Sequence, residues 1–164
     1  MQLKRRVLPF AVALLSMVCP KPADAQGTGA LRDVKVVLVE ATVVANPDKV
    51  KEDGAPAATE EMLRNALKNS GFEIGESPVS AHILLEEFTS GSKAKRIMVG
   101  FGSGRSTVAG RLVFLDAGKQ ELANVPIKAR GDFMFSSYQS GSTQRKQATS
   151  SFEQKLLEAI ASLK

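Results

Sequence analysis

VKVVLVEATVV, residues 34–44, is apolar and largely β-branched on both phases of strand alternation. A strand with one wet face alternates strictly, whereas one covered on both faces reads as a near-continuous apolar run and belongs among parallel neighbours. The run predicts a central strand. Asn46-Pro47-Asp48 stops it, and the stretch from Lys49 to Ala58, with Gly54 and Pro56, reads as a loop. Thr59 is placed to cap a helix in which Met62, Leu63, Ala66 and Leu67 make one apolar stripe, with Gly71 at the position after the helix end. Phe72-Glu73-Ile74 follows as a short strand. Strand, helix and strand in that order predict a right-handed crossover between parallel neighbours.

The rest of the chain changes character. Ala81 to Phe88 and Thr107 to Leu115 read as strands, and Asp116-Ala117-Gly118-Lys119 closes the second with a turn. Val125, Ile127, Ala129, Phe133 and Phe135 alternate with Lys128, Arg130 and Asp132, the pattern of a half-buried antiparallel strand. Ser150 and Glu153 form a capping box ahead of Phe152, Leu156, Ala159, Ile160 and Leu163, which recur at helical spacing. The predicted fold is α/β (α+β): a two-layer sandwich with a mixed sheet of about five strands, βαβ followed by an antiparallel meander, and two covering helices.

The amino terminus is read differently. Lys4, Arg5 and Arg6 precede an apolar run from Val7 to Val18, and Ala23-Asp24-Ala25 offers small residues for processing. This is the pattern of a secretory signal peptide over residues 1–25, leaving one domain over 26–164. Cys19 follows Ser16-Met17-Val18, a poor fit to a lipidation signal, and is read as an ordinary cysteine of the apolar region. The expected location is therefore the periplasm. Four bases and one acid lie within the first 25 residues, so the formal charge of +5 falls to +2 without them. Basicity is then largely a targeting signal and gives no argument for nucleic acid. The remaining chain has no cysteine, no further long apolar run and hence no expected transmembrane segment.

The glycine-rich stretch GSKAKRIMVGFGSGRS, residues 91–106, fails the nucleotide signatures. A phosphate-binding loop ending at Gly104 requires glycine at Val99, lysine at Arg105 and a following helix. The dinucleotide fingerprint fails at Arg105. Gly100, Gly102 and Gly104 instead clear one face of a segment and suit a kink or bulge, with Ile97, Val99 and Phe101 on the other phase. Phe88-Thr89-Ser90-Gly91-Ser92, then Arg96 through Ser106, then the strand ending Leu115-Asp116, resemble the bacterial envelope family called domain of unknown function 4410. The element order is more distantly similar to the periplasmic domain of curli-secretion channel lipoproteins. The resemblance implies an exported, non-enzymatic domain with no catalytic residues and no cofactor. Membrane-crossing hairpins are not implied, because neither Lys93 to Arg105 nor Ser136 to Gln147 can supply two strands of about 9 to 11 residues.

Catalytic readings find little support. His82 is the chain's only histidine and opens an apolar strand, so a structural role outweighs a catalytic one. One histidine and no cysteine beyond residue 19 leave no zinc or copper ligand set. Glu86 and Glu87 are adjacent on a strand and are expected on opposite faces, which separates them as a carboxylate pair. Asn46, Asp48, Glu52 and Asp53 lack the spacing of a calcium loop. What survives is charge. Ser90-Gly91-Ser92-Lys93-Ala94-Lys95-Arg96 is echoed by Ser140-Gly141-Ser142-Thr143-Gln144-Arg145-Lys146, each after a strand. In a three-strand meander both segments emerge at one sheet end as loops, bringing Lys93, Lys95, Arg96, Arg105, Arg145 and Lys146 together. The expected partner is an anionic envelope glycan or lipid. The alternative is an envelope protein, engaged through Ile97, Met98 and Phe101 by a subunit of an assembly.

Overall fold

The computed structural model describes residues 31–89, 105–131 and 141–164. The strands are β1 (Val36–Val39), β2 (Val43–Val44), β3 (Glu73–Ile74), β4 (Ser80–Thr89), β5 (Thr107–Leu115) and β6 (Glu121–Arg130). The helices are α1 (Ala55–Asn69), between β2 and β3, and α2 (Gly141–Ser162), after β6. The sheet runs β3-β1-β4-β5-β6, with β2 also paired to β4. β1 is parallel to β3 and β4, and β2 is parallel to β4, while β4, β5 and β6 form the antiparallel meander. This is the mixed-sheet α+β fold expected from the sequence, with the βαβ unit and meander in the order read there.

The run at 34–44 is not one strand covered on both faces. Val39 pairs with Ala81, and Val43 pairs with Leu84. Four residues on one side therefore span three on the other. The extra residue acts as a bulge and reverses the alternation. Val37 and Val39 point into the core before it, whereas Val44, opposite the buried Leu85, takes the core side after it. Leu38 and Val43, on the other phase of each half, are 39% and 49% exposed. Apolar residues on both phases thus record a phase switch.

Both helices pack on one sheet face. A single cluster joins Val37, Ile83, Leu85, Val108, Leu112, Phe114 and Ile127 from the strands to Leu63 and Leu67 of α1 and Phe152, Leu156 and Ile160 of α2. Burial of each such side chain contributes on the order of 1.5–3 kcal/mol. α1 starts four residues before the expected cap, with Pro56 in its first turn. Thr59 lies inside the helix, buried, and its Oγ1 donates to the Ala55 carbonyl at 2.7 Å. The exit is as read: Gly71 has φ +81, its N–H bonds Lys68 O at 2.9 Å, and the Phe72 N–H bonds Leu67 O at 3.0 Å. Those two bonds satisfy the last carbonyls in a Schellman cap.

α2 also starts early. Residues 141–146, read from the sequence as a basic loop, are its first turns, and Ser150 lies inside the helix. Phe133 and Phe135 lie outside the described residues. At the far end the Leu31 N–H bonds Leu163 O at 3.1 Å, joining the first described residue to α2. No helix among the described residues is long and apolar enough to cross a membrane.

Candidate functional site

The meander sets one end of the sheet. Thr89, Thr107 and Arg130 stand side by side across β4, β5 and β6, and the Gly131 N–H bonds Ser106 O at 2.9 Å. Arg105 precedes this row. The first turn of α2 closes over the same end: a Cβ on Gly131 would lie 2.8 Å from Gln144 O. Arg145 Nη1 reaches Glu52 Oε2 at 2.9 Å, and Glu52 follows Val50, which bridges to Phe88. Arg105 and Arg145 are thus both at the sheet end, with Lys146 exposed one residue further along α2. Two parts of the expectation change. Arg145 and Lys146 are held on a helix, because the segment continues the helix that packs on β6, and Arg145 is partly neutralised by Glu52. Lys93, Lys95, Arg96, Gly100, Gly102 and Gly104 lie outside the described residues, as do residues 1–25 with Cys19.

The structure adds bases that the sequence reading had left as the polar phase of a strand and a helix. A cleft of about 630 Å³ lies between β6 and α2, lined by Arg105, Lys128, Arg130 and Lys155 together with Ala129, Ser151, Gln154 and Glu158. Lys128 and Arg130 are two apart on the edge strand and share one face, on the phase opposite the core-facing Ile127 and Ala129. Ser151, Gln154, Lys155 and Glu158 fall at helical spacing and share one face of α2. The Lys155 ammonium donates to the Lys128 carbonyl at 2.7 Å, which fixes a positive charge over the strand without neutralising it. Four cations elsewhere have carboxylates: Arg64 with Glu60, Arg111 with Glu86, Lys119 with Glu40 and Arg145 with Glu52. Among the described residues no carboxylate forms such a pair with Lys128, Arg130 or Lys155.

The carboxylates and the histidine are elsewhere. The register slips between Leu85 and Glu87, so Glu86 is an extra residue in β4. This bulge corrects the expectation of opposite faces: Glu86 and Glu87 both line a second cleft of about 500 Å³, with Asn46, Lys49, Pro126 and Lys128. Glu86 accepts from Arg111 Nε at 3.1 Å in an exposed ion pair. His82 Nδ1 lies 3.9 Å from Glu40 Oε2, on the far half of β4 from the basic cleft. A hydrogen bond from Lys119 holds the Glu40 carboxyl below the usual carboxylate range, opposed by partial burial.

Comparison with known proteins gives likeness of fold alone. No protein-family model matches the chain, and no curated protein does. Among solved structures it is similar to a PelC dodecamer from Paraburkholderia phytofirmans, with TM-score 0.55 and 14% identity, covering 84% of this chain and 94% of that one. A substituted form of that dodecamer gives TM-score 0.53 and 17% identity over 85% and 90%. An uncharacterised protein gives 0.54 and 11% over 79% and 92%.

Proposed function

We propose that this chain is an exported envelope accessory protein that acts by binding, without a catalytic centre, and that it contacts an anionic envelope component through the basic end of its sheet. The carrying observation is the cleft between β6 and α2, which Lys128, Arg130 and Lys155 line beside Arg105, with no ion pair from any of the three to a carboxylate among the described residues. Like charges gathered at one cleft repel one another, and that repulsion stabilises nothing in the free protein. An anionic ligand supplies the missing charge. The fold shared with PelC and the resemblance to the envelope family support the location.

The test is binding of a soluble polyanion by the purified protein, at low and at physiological ionic strength. Replacing Lys128, Arg130 and Lys155 together by Gln is expected to weaken binding about tenfold or more at low salt and to flatten its salt dependence. Unchanged affinity and salt dependence in the triple variant would refute the proposal.

A second reading, as a subunit of an envelope assembly, is favoured by the dodecameric state of PelC and by the exposed Leu38 and Val43. Light scattering of the purified protein separates it from a monomeric binder: a discrete oligomer supports the subunit reading.

A further inference from the structure

We propose that the basic cleft is a glycan groove, taking a short run of acidic sugars and recognising their carboxylates and ring hydroxyls together. This rests on the basic-cleft reading above and narrows its ligand to one class. The first ground is the interleaving of charged and neutral groups. Along α2 the cleft presents Ser151, Gln154, Lys155 and Glu158, so a hydroxyl and an amide precede the ammonium and a carboxylate follows it. From Ser151 to Glu158 the wall runs about 10 Å, and Lys128, Arg130 and Arg105 line the same cleft from β6 and from the segment before β5. A compact phosphate is gathered by donors converging on one point. Donors strung along a groove, with amide and hydroxyl groups between them, match a ligand whose carboxylates alternate with hydroxyls. Glu158 accepts hydrogen bonds only, so it suits a sugar hydroxyl and disfavours any anionic group placed directly against it.

The second ground excludes a lipid headgroup. Ala129 is the one apolar side chain in the lining, which leaves no slot for an acyl chain. The exposed Leu38 and Val43 lie on β1 and β2, across β4 and β5 from β6. That separation is about 14 Å at ordinary strand spacing, and the side chains are on the sheet face away from the helices. The exposed apolar pair therefore stands three strands from the cleft and supplies it no acyl-chain contact.

The third ground is the fixed ammonium. One of the three Lys155 donors is spent on Lys128 O, which leaves two for a ligand and removes much of the rotamer freedom that a surface lysine would lose on binding.

The experiment is calorimetric titration of the purified protein with four probes: oligogalacturonate, the same oligosaccharide with its carboxylates reduced to alcohols, polyphosphate, and phosphatidylglycerol vesicles. Oligogalacturonate is expected to bind and the reduced form to fail. Arg130→Gln and Lys155→Gln should each weaken oligogalacturonate about tenfold, the scale of one lost charge-assisted hydrogen bond. The double variant Ser151→Ala/Gln154→Ala keeps every charge and should weaken oligogalacturonate while leaving any polyphosphate affinity unchanged. All four positions are at the surface, and coincident thermal unfolding confirms intact variants. If polyphosphate or vesicles bind through Arg130 and Lys155 while oligogalacturonate does not, or if the double variant affects neither ligand or both equally, the glycan groove is refuted and the basic cleft stands. If no anionic probe binds, both readings fall.

Discussion

Lys119 is the one non-glycine residue with positive φ among those described, at φ 60 in the turn from β5 to β6, although Gly118 stands beside it. The turn is closed by Lys119 N–H to Asp116 O at 3.0 Å and by Gln120 N–H to Asp116 Oδ1 at 2.8 Å. A left-handed lysine costs about 1 kcal/mol relative to glycine. What the side chain returns is the contact with Glu40, which ties the hairpin tip to the end of β1. Because the folded-state pKa of Glu40 is depressed, the stability it contributes is complete above the ordinary carboxylate range. It is lost as pH falls through the lower folded-state value. Lys119→Met should therefore lower the unfolding free energy from urea titration near neutrality by less than about 1 kcal/mol for so exposed a pair, and the gap to the parent should close in acid. A gap independent of pH would assign the loss to the turn.

Between elements, the tightest contact at the site is Gly131 against the first turn of α2. A Cβ there would stand 2.8 Å from Gln144 O and 3.4 Å from Gln144 Cβ, both fixed by the helix. Gly131→Ala should destabilise by about 1–3 kcal/mol and displace the start of α2, seen as a lower urea midpoint and faster amide exchange over residues 141–148. This junction was illegible in the sequence for a definite reason. The residue that fills the buried position in the first turn is Gln144, 3% exposed, so no apolar stripe begins until Ala148, and the Ser150/Glu153 pair mimicked a start. The Pro56 end of α1 misled in the same way, since a proline suited to a first turn also reads as a loop. Elements whose stripes are apolar throughout were read correctly, including the Gly71 cap and the meander. The two bulges, at 40–42 and at Glu86, changed faces within a strand, which no count of alternation can locate without the partner's register.

For the whole molecule, the end of the sheet where charge gathers could be read from the meander alone, because alternate strands run the same way. The cleft could not. Lys128, Arg130 and Lys155 belong to two elements whose packing against one another is a tertiary fact, and each by itself looked like ordinary solvated polarity. The same topology has a temporal consequence. β5 and β6 are joined by a tight turn, whereas β1 meets β4 only after α1 and β3 have been traversed, some forty residues apart in the chain. Short closures precede long ones, so the hairpin should be present at the rate-limiting barrier and the parallel seam should zip afterwards. Asp116→Ala should then chiefly slow refolding, and Val39→Ala should chiefly hasten unfolding, as stopped-flow chevrons of the two variants would reveal.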